Sequence, residues 1–301
     1  MTTSGSTPLS ISLLLHKRWL VDPAEGRRAD FSGVTLNEVI LIGADLRQAI
    51  LTSATLLDAN LAEARLNGAQ LNCGDFQRIN LAGADLTGAD LTRADFAGAW
   101  LPRADLAEAS GSCVSFRGAV LTDARLPDTR FRQANFRQVS ASRSAFQQAR
   151  LDDVDFREAD ISGAEFPHAC LQHVQFGRIK GAFANFKGAK IAYCDFSRAE
   201  LRGAKFARAE LLQAACPGAD LTECDFRDVR LLGGDFHHAI FAGARFARAQ
   251  LKMADLRGAN LQGARELTSE QLIQALTDSS TVLPNGSRGP YRRNSGAERS
   301  R

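Results

Sequence analysis

The chain has 301 residues, with 37 basic and 34 acidic side chains and a formal charge of +3. That charge sits mostly at the ends: residues 288–301 carry five arginines against Glu298, residues 1–28 carry four basic against two acidic side chains, and the long middle is close to neutral. Such a balance announces neither a nucleic-acid binder nor an acidic imitation of nucleic acid, and no apolar run is long enough to span a bilayer.

The N-terminal segment, residues 1–28, lacks the order of a secretory signal. Its basic pair Lys17–Arg18 follows the apolar stretch Leu9–Leu15 instead of preceding it, and no small-residue cleavage site is evident. Residues 9–20 read as a short helix, with Leu13, Leu14, Trp19 and Leu20 available to cover whatever follows. His16 within it reads as a packing or solvated histidine rather than a ligand.

From residue 29 to about 265 the sequence repeats every five residues without an insertion. Every fifth position from Phe31 to Leu261 is Phe, Leu or Ile, except Gly111, Ala141, Gly181 and Cys216. The position two before each is small or β-branched throughout, Ile79 and Ile179 being the largest. A period of five fits neither a helix nor a plain strand. It fits a chain that turns a corner every five residues and points one large and one small side chain inward each time.

Four such sides close a coil of about twenty residues, and the sequence carries an internal test of that number. Phe76, Phe96, Phe116, Phe136, Phe156, Phe176 and Phe196 recur at intervals of twenty. Phe146, Phe166, Phe186, Phe206, Phe226 and Phe246 form a second series ten residues away, on the opposite side. The 47 units make roughly twelve coils, and a rod on the order of 55 Å at the usual inter-strand spacing. The unit, seen in Ala84-Asp85-Leu86-Thr87-Gly88 and Ala89-Asp90-Leu91-Thr92-Arg93, resembles that of the pentapeptide-repeat family. The resemblance implies an all-β solenoid, a right-handed quadrilateral β-helix with short helical caps. The handedness and the square section come from the resemblance, the five-residue turn from the residues.

After the repeat, Thr268 and Gln271 fit a capping box, and Leu272, Ile273, Ala275 and Leu276 give the apolar face of a C-terminal capping helix within residues 266–284. The resembled family often carries a similar Leu-Thr-x-Glu-Gln-Leu segment there. Residues 285–301 read as a disordered basic tail.

Catalytic chemistry is absent from this pattern: no catalytic, cofactor-binding or metal-binding residue is assigned, and the chain is read as a non-enzyme. The many aspartates before the large position, such as Asp45, Asp85, Asp90, Asp105 and Asp160, are consensus residues on an outward face. No phosphate loop or nucleophile elbow is present. His168, His173, His237 and His238 take variable outward positions and read as solvated surface. The six cysteines show no CxxC spacing, which argues against zinc and fits a reduced, cytoplasmic setting. Cys194, Cys216 and Cys224 take inward slots. Cys73 and Cys113 lie two coils apart in one column, about 10 Å, beyond disulfide reach.

Three outward features depart from the consensus. Leu212 and Leu232 lie one coil apart at one position, with Tyr193 and Met253 beside them, as an apolar strip that either meets a partner or is covered by the C-terminal segment. Arg117, Arg137 and Arg157 stack in one column, continued one residue away by Arg178 and Arg198; stacked like charges repel, so the column needs nearby acids or, less favoured, a bound anion. Trp100, with Ile40, Val120 and Ile240 in its column, is a weaker contact candidate.

The leading expectation is a protein-binding or scaffold solenoid without a cofactor, whose partner is another protein, with a homodimer through the C-terminal end left open and nucleic acid not favoured. Family resemblance supplies an alternative: some members bind type II topoisomerases by imitating duplex DNA and protect against toxins or quinolones, which the near-neutral body opposes. A bacterial secreted effector or envelope-associated repeat protein is a third.

Overall fold

The computed structural model describes residues 8–293 and 295–300. Helix α1 spans Leu9–Trp19. The repeat follows, with six short strands on one side of the coil: β1 (Ser110–Ser112), β2 (Arg130–Arg132), β3 (Arg150–Asp152), β4 (Cys170–Gln172), β5 (Lys190–Ala192) and β6 (Glu210–Leu212). They pair in parallel and in chain order, each register shifted by twenty residues, as in Phe131 opposite Leu151. Helix α2 (Ser269–Leu272) comes last. The same twenty-residue offset joins isolated bridges on all four sides, beginning with Asp30–Ile50, Thr35–Thr55, Ile40–Asn60 and Asp45–Arg65 and continuing to Arg245–Arg265. The molecule is therefore a parallel-stranded β-solenoid. A side only five residues long, ending in a turn, leaves little chain for regular pairing, so most ladders are single bridges.

One unit shows where every amide of the repeat goes. Ala84 N–H closes the turn onto Leu81 O at 3.0 Å, Asp85 N–H reaches back one coil to Ala64 O at 2.9 Å, and Leu86 and Gly88 reach forward to Asp105 O and Ala107 O at 2.7 and 2.8 Å. The remaining amide, Thr87 N–H, donates to the Asp85 carboxylate at 2.9 Å. This is the reason for the aspartate excess: an Asp or Asn two residues earlier caps an amide that no backbone carbonyl can meet. The bond recurs at Asp90–Thr92, Asp95–Ala97, Asp105–Ala107 and Asp160–Ser162. Each turn closes through a left-handed residue, glycine in some units and Glu, Arg, Gln or His in many.

The interior is the two expected ladders. Rings in the first stack at 4.7–5.2 Å from Phe76 to Phe196, and rings in the second at 4.7–5.3 Å from Phe146 to Phe246. Where they face each other they meet edge-on, as at Phe156–Phe166 (6.3 Å, 85°), the geometry aromatic quadrupoles favour. Inward hydroxyls bond within the turn: Thr129 Oγ1 donates to Leu126 O and Ser144 Oγ to Ala141 O. Cys194, Cys216 and Cys224 are buried and free. Burial pushes the Cys194 thiol up to about 12 and those of Cys216 and Cys224 well above their ordinary value. Cys73 and Cys113 are exposed free thiols.

The C-terminal segment departs from expectation. Only Ser269–Leu272 is helical. The chain beyond it carries on the coil instead, with Leu276 bridging Asp255 and Val282 bridging Asn260. The capping box is present: Thr268 Oγ1 accepts from Gln271 N–H and Gln271 Oε1 accepts from Thr268 N–H. Asp278 Oδ1 accepts from Gly258 N–H at 3.1 Å, taking the place of the carbonyl that a further coil would supply. The described part of residues 285–300 is also placed against the end rather than left as a disordered tail. Tyr291 O–H bonds Ser269 and Glu298, its N–H donates to Thr277 Oγ1, and Ala297 is buried. A single aromatic anchor with three polar partners outweighs the polar composition that suggested disorder. No helix among the described residues is long and apolar enough to cross a membrane.

Candidate functional site

The side of the coil that carries β1–β6 also carries the apolar strip. The register Ala192–Leu212 sets Leu212 directly after β5, and the Glu210–Arg230 bridge carries the ladder on so that Leu232 stands one coil beyond Leu212. Gln213 N–H donates to Leu232 O and Tyr193 N–H to Leu212 O, so the columns of Leu212 and Tyr193 are side by side. Met253 N–H donates to Gln274 O, which brings Ile273 onto the same side from α2. Tyr193, Leu212 and Met253 are 49%, 42% and 60% exposed, and Leu232 is half-buried.

Local backbone chemistry holds these side chains outward. Tyr193 and Met253 occupy the left-handed corner position, with φ of 55° and 59°, where a side chain leaves the coil instead of entering it. Tyr193 is braced by a stack on His173 at 5.3 Å. The strip is flanked by the Glu210–Arg230 ion pair at 3.1 Å. The repeat register sets Tyr193, Leu212, Leu232 and Met253 in adjoining columns, while exposed Ile273 falls outside that register because α2 interrupts the repeat before it.

Trp100 is half exposed and bridges Asn80 and Val120, on the side opposite the strip. Asn60 and Asn80 separate it from Ile40, and Ser140, Asp160, Lys180, Glu200 and Asp220 separate Val120 from Ile240, so that column is no continuous patch. A side chain the sequence reading overlooked, Phe183, is exposed there, its ring lying over Gly203. The signal is a spacing of twenty between an aromatic and a glycine: His168 over Gly188 and His238 over Gly258 repeat it.

The arginine column is largely paired. Arg157 grips Asp155 through Nε and Nη2 at 3.0 and 2.6 Å, and Arg137 lies 3.5 Å from Glu158 and 3.9 Å from Asp155. Burial acts to raise the Asp155 carboxyl, but the hydrogen bonds and charge of Arg157, with the Arg137 charge, together hold it below its ordinary value. Gly177 and Ser197 end the column, which leaves Arg178 and Arg198 one residue aside. An anion here would have to displace these carboxylates. Asp152, Asp153 and His173 bring three potential metal-ligand atoms within 4.8 Å of one another, a grouping the sequence reading did not assign. All three lie at the surface, and Arg132 already sits 3.6 Å from Asp152.

A family model described as a pentapeptide repeat region matches residues 109–186, and one described as pentapeptide repeats (8 copies) matches residues 29–68, 59–98, 69–107, 182–214, 206–241 and 219–263. The chain belongs to the pentapeptide-repeat family. Among solved structures it is similar to HetL of the cyanobacterium Nostoc sp. strain PCC 7120, a pentapeptide repeat protein involved in heterocyst differentiation regulation (21% identity, 90% of this chain and 97% of that chain, TM-score 0.24). It is also similar to full-length QnrB1, a plasmid-mediated fluoroquinolone resistance protein (17%, 68% and 94%, TM-score 0.22). A third is a pentapeptide repeat protein of the Arabidopsis thaliana thylakoid lumen (26%, 39% and 74%, TM-score 0.21). Comparison with curated protein sequences gives no match.

Proposed function

We propose that the chain is a non-enzymatic scaffold: a right-handed rod of about twelve coils, closed by terminal caps, that holds another protein on the strip formed by Tyr193, Leu212, Leu232 and Met253. The exposure of that strip carries the reading. A ladder of outward positions that elsewhere holds Arg132, Asp152 and Gln172 turns apolar at Leu212 and Leu232. The C-terminal segment packs over the end of the coil, with Leu267, Leu272 and Leu283 buried, and leaves the strip open. Contiguous apolar surface with Tyr and Met at its margins and charge at its rim is the composition of protein interfaces. An extended solenoid face suits one long contact better than a pocket.

The test is affinity capture with cross-linking from the native host, comparing the wild type with a Leu212→Glu/Leu232→Glu double variant. Both leucines point outward, so the fold is retained and can be checked by circular dichroism. The partner is expected to be lost in the variant. Identical capture by both proteins would remove the strip from consideration.

A further inference from the structure

The two ends of the solenoid are finished differently. At the C-terminal end Leu256, Leu261 and Gly263 N–H donate to Leu276, Val282 and Pro284 O, so the last coil is covered by chain that follows it. At the N-terminal end α1 lies over the first side of the coil, and Leu9, Ser12 and Leu15 line a cavity with Phe31, Val34 and Leu36. His16 is buried there, with Nδ1 accepting from Ala29 N–H at 3.0 Å, Arg28 Nε donates to Gln48 O, and Phe31 and Leu46 beneath are buried. Beyond that cavity the first coil is open among the described residues, along residues 38–43. Ile40 and Ile42 are 72% and 56% exposed, and Leu36 and Val39 remain half-buried although their equivalents one coil on, Leu56 and Ala59, are fully enclosed. In the second coil Thr55 and Asn60 N–H donate back to Val34 and Val39 O; Thr35 and Ile40 have no coil before them.

Helix α1 has the complementary surplus. Leu9, Leu13 and His16, spaced four and three apart, face the coil. On the opposite face Ile11 and Leu14, three apart, are exposed. A helix apolar on two faces is a helix with two neighbours. It carries Lys17 and Arg18 and no acid, whereas the open part of the coil carries exposed Glu38.

We propose that the chain pairs end to end with a second copy of itself, each α1 lying across the part of the other copy's first coil that its own α1 leaves open. A two-fold axis perpendicular to the rod exchanges the covered and open parts of the two end faces. The contact is therefore isologous and closes at two copies, because the covered C-terminal end offers no further site. One twenty-residue coil with the eleven-residue α1 matches the roughly 20–30 residues a side of a stable interface. Covering an open coil edge is also what keeps a solenoid from indefinite stacking.

Sedimentation equilibrium on the full chain tests this, with small-angle scattering for shape. The wild type is expected at twice the 32.5 kDa chain mass, with a maximum dimension close to double that of one rod. Ile40→Glu and Leu14→Glu, both at exposed positions and checked for folding by circular dichroism, are each expected to weaken the dimer about tenfold or more. Leu212→Glu/Leu232→Glu is expected to leave it intact. A monomeric wild type at the highest attainable concentration, a dimer indifferent to Ile40→Glu and Leu14→Glu, or a dimer no longer than one rod would each overturn the proposal. So would a monomer that dimerises only when residues 1–7 are removed, since that segment would then be the occupant.

Discussion

Phe156 is the residue on which nearest-neighbour stability is best tested. It stacks on Phe136 at 4.7 Å and Phe176 at 5.2 Å and meets Phe146 and Phe166 edge-on at 5.9 and 6.3 Å. Phe76, at the end of the same ladder, has one stacked partner, Phe96 at 5.0 Å. Both are fully buried, so Phe→Ala removes the same transfer and cavity contribution, about 3–5 kcal/mol, at either site. Three additional ring pairs at ~0.5–1.5 kcal/mol each make Phe156→Ala the more damaging by ~1.5–4.5 kcal/mol. Urea unfolding of the two variants measures the gap, and amide hydrogen exchange locates it. Protection should fall in the coils around residues 136–176 and persist near both ends, because each coil contacts only its neighbours. Equal losses for the two variants, or a uniform fall in protection along the rod, would refute the additive ladder.

Asp90→Ala leaves Thr92 N–H without its acceptor at 3.0 Å and is expected to cost about 1 kcal/mol, with Asp90→Asn near neutral; urea midpoints decide. Gly203 sits at φ +71°, where a Cβ would lie 2.7 Å from the Phe183 ring. Gly203→Ala should therefore destabilise by about 1 kcal/mol or more and by less in a Phe183→Ala background, which a double-mutant cycle reads directly. Burial lowers the pKa of His16 and outweighs the nearby Asp45 charge, which raises it; the Arg28 charge adds a smaller lowering. The neutral imidazole that accepts from Ala29 is then the folded form, so its contribution is complete above about pH 6.5 and declines as pH falls below that value. Hydrogen exchange of the first coil at pH 7.5 and 5.5 should show the loss, and His16→Phe should lack it. In a gyrase supercoiling assay no inhibition or drug protection is expected, because acids that could imitate phosphates, such as Asp155, Asp225 and Asp255, are gripped by Arg157, Arg227 and Arg257; clear inhibition would revive the DNA-mimic reading.

By itself the sequence determined the coil. A period of five with one large and one small inward residue, and phenylalanines at intervals of twenty, admits one stacking register, because any slip would turn aspartates inward and rings outward. That register alone places Tyr193, Leu212, Leu232 and Met253 in adjoining columns. What lay outside the repeat was decided by tertiary contact. Ile273 came near Met253 because Met253 N–H pairs with Gln274 O beyond α2, the segment around Tyr291 packed because Ser269, Glu298 and Thr277 offer it hydrogen bonds, and most of the expected C-terminal helix became coil because Asp255 and Asn260 present open ladder positions. The open part of the first coil was not decided by the sequence, where residues 34–43 keep the repeat apart from apolar Ile40 and Ile42 at outward positions. Whether a repeat unit is enclosed depends on what lies against it, and for the first coil only the position of α1 says which sides are covered.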